Sequence, residues 1–116
     1  MVNDLGGQTV VIVFREDDED GDYRDTGERL PVPGCSVQPG APGESGGNQE
    51  RTTLPVAVFG PMALARARSW DELLVDGWLV GLDDPIRVEL AGPPAVWPDE
   101  NGAPHHVEVA ALYTRG

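Results

Sequence analysis

The sequence predicts a small all-β domain, a β-barrel or sandwich of about six short strands with long loops and room for one short helix. Three observations carry this prediction. The apolar residues fall into short β-branched runs or alternate with period two. Gly and Pro number 15 and 11 and punctuate those runs. The chain is 116 residues long, which suits a single domain, 1–116, with one modest core.

The elements follow in order. Thr9 to Phe14 is β-branched, lies between Gly6-Gly7 and a run of acids, and reads as a strand. The acids continue through Asp22, and Asp20-Gly21 is a turn dipeptide, so residues 15–29 read as an acidic hairpin. The returning strand, Glu28 to Val32, carries Pro31 with Pro33 just beyond, which confines it to an edge or breaks it. Gly34 to Gln38 is a short strand with Cys35 and Val37 facing inward. Residues 39–51 hold no apolar side chain larger than Ala or Pro and read as a flexible loop. Thr52 to Phe59 is a strand closed by Gly60-Pro61. Ser69 and Glu72 have capping-box spacing, which predicts one helical turn before Leu73-Leu74. Trp78 to Val80, Ile86 to Leu90 and Val107 to Tyr113 read as the remaining strands.

The charge balance narrows the function. There are 20 acidic side chains against 8 basic ones, all Arg, for a net charge of −12. That disfavours an ordinary phosphate-gripping nucleic-acid binder. Eight of the twenty acids lie between Glu16 and Glu28. No apolar run approaches the length of a membrane helix, and no signal peptide is expected. With Cys35 the lone cysteine, an intrachain disulfide is excluded and a thiolate metal site is not expected.

Several residues invite a chemical reading. Gly43-Glu44-Ser45-Gly46-Gly47 fits the G-x-S-x-G pattern and looks like the surroundings of a trypsin-like nucleophile, with His105 or His106 as nominal base. It lacks the strand before and the helix after that a nucleophile elbow needs. Glu16, Asp18 and Asp20 before Gly21 mimic the start of an EF-hand loop, but Gly27 stands where the bidentate Glu belongs. A solvated hairpin tip is the plainer account of Asp17, Asp18, Glu19, Asp20 and Asp22. His105 and His106 are adjacent, so on a strand they point to opposite faces and are poorly placed to share a metal. Trp70, Trp78 and Trp97 read as core or subunit-interface anchors, and Arg66 and Arg68 as one side of an extended segment. No catalytic residue, cofactor or metal is assigned.

The order of features from Phe14 onward carries a resemblance. Asp20-Gly21-Asp22 is followed by Pro33-Gly34-Cys35-Ser36-Val37-Gln38-Pro39, a Gly/Ser-rich loop ending in Arg51-Thr52-Thr53-Leu54, and Asp76-Gly77-Trp78-Leu79-Val80. Then come Val88-Glu89-Leu90-Ala91-Gly92-Pro93-Pro94-Ala95-Val96-Trp97, Asn101-Gly102 and Val107 to Leu112. Over residues 8–116 the chain resembles the head-to-tail stopper, or head-completion, proteins of long-tailed phages of actinobacteria. It departs from them in a longer, Ala/Arg-rich stretch from Met62 to Glu72 and in the density of acids at 16–22.

The resemblance implies a β-barrel subunit of a homo-oligomeric ring in the virion neck, a hexamer in preference to a dodecamer. Such a ring lies between the head-tail adaptor ring and the tail terminator or tail tube. It closes the DNA exit channel without binding DNA specifically and offers the tail its attachment surface. Loop 39–51, with residues 43–47 at its centre, is then the channel-facing element. The acidic hairpin serves as a docking arm or as channel charge that repels phosphate. Such a protein resides in the virion, and in the host cytoplasm during assembly, without a membrane partner. Two readings of other classes stand beside it: a small OB-like binding module, and a serine hydrolase built on Ser45.

Overall fold

In the computed structural model, residues 7–40 and 52–115 are described. They form seven antiparallel strands: β1 (Gln8–Asp17), β2 (Tyr23–Pro39), β3 (Thr52–Gly60), β4 (Glu72–Val75), β5 (Ile86–Leu90), β6 (Ala95–Pro98) and β7 (Pro104–Arg115). Two 3-10 turns, η1 (Met62–Arg66) and η2 (Gly77–Val80), flank β4. No helix among the described residues is long and apolar enough to cross a membrane.

The sheet closes on itself. Its order is β3-β2-β1-β4-β5-β7-β6, and β3 also pairs with β7. Six strands therefore form a barrel in the cyclic order β1-β2-β3-β7-β5-β4, the small antiparallel barrel that the strand pattern predicts. The closing ladder is the longest regular one, running from Thr52 opposite Arg115 to Gly60 opposite Val107. The other edge of β7 is shared: Ala111 and Leu112 pair with β5, while His106 to Glu108 pair with β6. β6 thus lies outside the closed circuit as a short flange.

Alternation fills the barrel. Val10, Ile12 and Phe14 of β1, Val56 and Val58 of β3, Leu73 and Val75 of β4, Ile86, Val88 and Leu90 of β5, and Val107, Val109 and Ala111 of β7 form one buried cluster. Cys35 and Val37 of β2 join it, as their spacing predicts. The chain from η1 to Ala67 adds Leu64 and Ala67 to the same cluster. The interior is a packed core rather than a conduit.

Four expectations are corrected. Pro31 and Pro33 do not break the returning strand; β2 runs unbroken for 17 residues. The two prolines are two residues apart and so share one edge, and β3 pairs with β2 only from Ser36 onward. Beside them the edge has no partner among the described residues, so no ladder hydrogen bond is lost there. The capping-box residues form no helix: the Asp71 N–H closes a turn on the Arg68 carbonyl, and Glu72 already begins β4, where Leu73 and Val75 are buried and Leu74 half-buried, so a two-sided barrel wall outweighs a local cap. Trp78 to Val80 forms η2 rather than a strand, closed by Gly81 at φ 78° and by the Leu82 N–H donating to the Gly77 carbonyl. β6 was not expected; its four residues are all exposed and carry no alternation to read.

Gly60 shows how tightly the core is filled. A Cβ there would lie 2.7 Å from Cys35 Sγ and 3.1 Å from Leu64 Cδ2. Gly60→Ala is expected to cost about 1–3 kcal/mol through overpacking. Gly92→Ala, where a Cβ meets nothing within 4 Å, is expected to stay within about 0.5 kcal/mol of the parent. Urea unfolding of the two variants measures the contrast.

Candidate docking surface

The acidic hairpin is a two-stranded arm continuous with the barrel wall. Its turn is organised by Asp18, whose Oδ1 accepts the N–H of Asp20 at 2.7 Å and of Asp22 at 3.3 Å. Its backbone N–H donates to the Asp22 carbonyl at 2.8 Å. One carboxylate is therefore built into the turn, while Asp17, Glu19, Asp20 and Asp22 stand exposed around it. The nearest guanidinium, Arg24, is held by Glu16 at 2.6 Å. The EF-hand likeness ends here, because an Asp18 oxygen that caps two N–H groups serves the turn itself. Among the described residues no three His, Cys, Asp or Glu side chains converge as a metal site.

Where the arm leaves the barrel, β1 and β2 slip register between Val13 and Arg15. Phe14 there faces Thr26, Gly27 and Glu28, and Gly27 takes φ 88°, which favours glycine. Thr26 Oγ1 donates to the Phe14 carbonyl, and Asp25 Oδ1 accepts the Gly27 N–H. The Asp25-Thr26-Gly27 sequence is an Asx-type bulge signal that reads in retrospect.

A lattice of ion pairs lies across the outer wall beside this bulge. Arg29 grips Asp25 with both terminal nitrogens, at 2.7 and 2.9 Å. Arg87 bridges Asp25 at 3.3 Å and Glu72 at 3.1 Å, and Glu72 reaches Arg15 at 3.4 Å. Four strands are tied by five side chains. The Arg29 fork holds the Asp25 carboxyl well below the usual carboxylate range, with the Gly27 N–H adding to the effect. Val13, opposite Arg29 and Glu72 in the two ladders, is fully buried although it belongs to the outer face. The lattice roofs it.

The single buried charged residue among those described is Asp71. Its Oδ1 accepts the backbone N–H of Arg15 at 2.8 Å, and its Oδ2 accepts the Arg68 N–H at 2.8 Å and Nε at 2.9 Å. Arg68 Nη2 reaches back to the Arg15 carbonyl at 3.1 Å, and Arg15 Nε donates to the Trp70 carbonyl at 2.8 Å. Burial pushes the Asp71 pKa up, but the Arg68 side chain and the two backbone N–H groups outweigh it, and the net shift is downward. The Arg68 guanidinium sits 5.0 Å from the Trp70 ring centre and 5.4 Å from that of Phe14, while Trp70 stacks on Tyr23 at 6.2 Å. Arg68 is thus no idle flank of an extended segment. Its three-residue spacing from Asp71 is visible in the sequence, but nothing there links either residue to Arg15.

The remaining candidates scatter. Trp70 lies at the arm's base, Trp78 is 59% exposed on η2, and Trp97 is 48% exposed on β6; none enters the barrel core. Trp97 stacks on His106 at 6.3 Å, and its Nε1 donates to Glu108. His105 and His106 meet each other, with their Nδ1 atoms 3.1 Å apart, contrary to the opposite-face expectation. They sit at the open start of β7, where the rings reach around the strand. Gly43, Glu44, Ser45, Gly46 and Gly47 lie outside the described residues. Cys35 is fully buried, and burial pushes its thiol up to about 11. Comparison with known proteins finds no matching family model, no similar curated protein and no similar solved structure.

Two outcomes test this surface. Asp71→Ala is expected to cost about 3–5 kcal/mol, because it strands buried donors. Since folding lowers the Asp71 pKa, its contribution is full above the unfolded pKa and is lost as pH falls through the folded value. Asp71→Asn should therefore flatten the acid limb of a stability-versus-pH curve; an unchanged limb counts against the arrangement. Cys35 should resist a thiol reagent at neutral pH in the native state and react once urea unfolds the chain.

Proposed function

We propose that the protein is a non-enzymatic structural subunit of a phage neck, a head-to-tail stopper that assembles as a homo-oligomeric ring. The observation that carries this reading is the pairing of a closed, fully packed barrel with a projecting, uncompensated acidic arm. The described grooves on the barrel are open and shallow, lined by residues such as Ser36, Gln38, Phe59 and His106. Surfaces of this kind suit contact with neighbouring proteins.

The ordered likeness to stopper proteins set out above supports the same role. Because side chains fill the barrel, DNA in such a ring runs between subunits rather than through one. Acids facing that channel repel phosphate and let the genome slide. Turned outward instead, the arm meets a basic rim on the adaptor ring or on the tail terminator.

Cryo-electron microscopy of the particle neck tests the role directly, with this chain expected as a ring below the adaptor. Its absence from the neck would falsify the proposal. The arm has its own test. Asp17→Asn, Glu19→Gln, Asp20→Asn and Asp22→Asn combined leave Asp18 to hold the turn. Full heads that fail to join tails are expected if the arm docks; normal joining with altered DNA retention is expected if it lines the channel.

A further inference from the structure

The objection to a shared metal at His105 and His106 is that adjacent side chains on a regular strand point apart. β7 is not regular at this point. Trp97 lies opposite His106 and Pro98 opposite Pro104, so His105 is an extra residue, a bulge in the β6–β7 ladder. The bulge re-aims His105, and the two Nδ1 atoms come to 3.1 Å from each other. The rings stand perpendicular, with their centres 5.3 Å apart.

The surroundings fix both rings. His106 is half-buried, stacked on Trp97 at 6.3 Å with the planes 8° apart, and lies 6.4 Å from the Phe59 ring. Trp97 is itself pinned, its Nε1 donating to Glu108 at 3.1 Å. The turn that leads into His105 is closed by Asp99, whose Oδ1 accepts the Asn101 N–H at 2.8 Å and the Ala103 N–H at 3.0 Å. The Ala103 and Asn101 N–H groups hold the Asp99 carboxyl below its usual range, and His105 adds to the effect, so an anion lies near His105.

We infer that His105 and His106 form a chelate site for one divalent late-transition ion, bound through both Nδ1 atoms. Imidazole nitrogen suits zinc, copper and nickel, whereas calcium and magnesium take oxygen. An ion about 2.0–2.1 Å from two nitrogens 3.1 Å apart subtends roughly 100° between them, an angle between cis square-planar and tetrahedral. Cu2+ binds tightest in the divalent series. Two protein ligands leave the remaining positions to water, and His105 is exposed, so the ion enters from solvent. The carboxylates of Asp99 and Glu108 favour a cation there. In the metal-free chain one Nδ1–H donates to the other Nδ1. Coordination uses both Nδ1 lone pairs, so the donating ring takes the Nε2–H tautomer instead. The site stands apart from the neck role.

Calorimetric titration of the tag-free, metal-free chain with Cu2+ is the first measurement, read together with tryptophan emission. One saturable ion per chain is expected, with partial quenching, because Trp97 lies on His106 while Trp70 stacks on Tyr23 and Trp78 stands on η2. His105→Ala should weaken binding about tenfold or more, since even outer partners of a metal site are worth that much. Its side chain is exposed, so the fold survives the change. Quenching should persist in Trp78→Phe and be lost in Trp97→Phe. The combined Asp17→Asn, Glu19→Gln, Asp20→Asn and Asp22→Asn protein should bind as the parent does. Binding that survives His105→Ala unchanged, or that disappears in the arm variant, assigns the ion to the acids and overturns the site. The second measurement is a long-range proton–nitrogen spectrum of the histidines with Zn2+ added. Displacement of both Nδ1 resonances is expected; coordination through Nε2, or by one ring alone, overturns the chelate.

Discussion

The carboxylate of Asp71 joins the barrel to its arm. The β1–β4 ladder is only three residue pairs long, from Val11 to Val13. Asp71 extends it by accepting the next β1 N–H, at Arg15, with a side-chain oxygen in place of a carbonyl. A buried carboxylate is tolerated only when donors surround it, and Arg68 supplies them from its backbone and its guanidinium. Because Arg68 also binds the Arg15 carbonyl and lies over Phe14 and Trp70, the same charge fixes where η1 ends, where β4 begins and how the arm leaves the wall. The β1–β4 seam of the barrel depends on that one group being ionised and fully bonded.

Two groups among the described acids differ in their physics. Asp25, Glu72 and Asp71 are spent on Arg29, Arg87, Arg15 and Arg68, and they stitch strands together. The acids of the two protrusions, the hairpin tip and the turn around η2, are left without a described Arg partner, while the wall around Asp25, Glu72 and Asp71 interleaves both signs. Field strength is greatest where the chain projects furthest, which is where a large charged partner would first sense it.

Strands whose residues alternate or are β-branched on both faces were legible from the sequence: β1, β3, β5 and β7 appear where the pattern places them, and so do the inward Cys35 and Val37. β2 was cut short because two prolines argue against a strand, and only the tertiary structure reveals that their edge lacks a neighbour. The helical turn expected before Leu73-Leu74 rests on a local rule that Ser69 and Glu72 satisfy, whereas the strand there answers to partners across the sheet, Leu73 to Ile12 of β1 and Val75 to Ile86 of β5. β6 has no buried face and hence no pattern. At the candidate surface the Asp20-Gly21 turn was readable, but the ion lattice was not. Register between β1, β4 and β5 brings Arg15, Glu72 and Arg87 together, and no local spacing encodes register.

The β3–β7 ladder has a consequence for how the chain is made. Residues 52–60 can close the barrel only by pairing with residues 107–115. At a synthesis rate of roughly 5–20 residues per second, β3 waits on the order of several seconds on the ribosome for its partner. During that interval Val56 and Val58 have no closed interior to enter, and one edge of β3 stays open. The strand carries Pro55 in that interval, and the barrel as a whole is dominated by contacts distant in sequence, the topology that folds in milliseconds to seconds rather than microseconds. Closure is therefore a late, all-or-none event in the life of each molecule, and the yield of folded chains is set by how well the nascent half-barrel is shielded until β7 arrives.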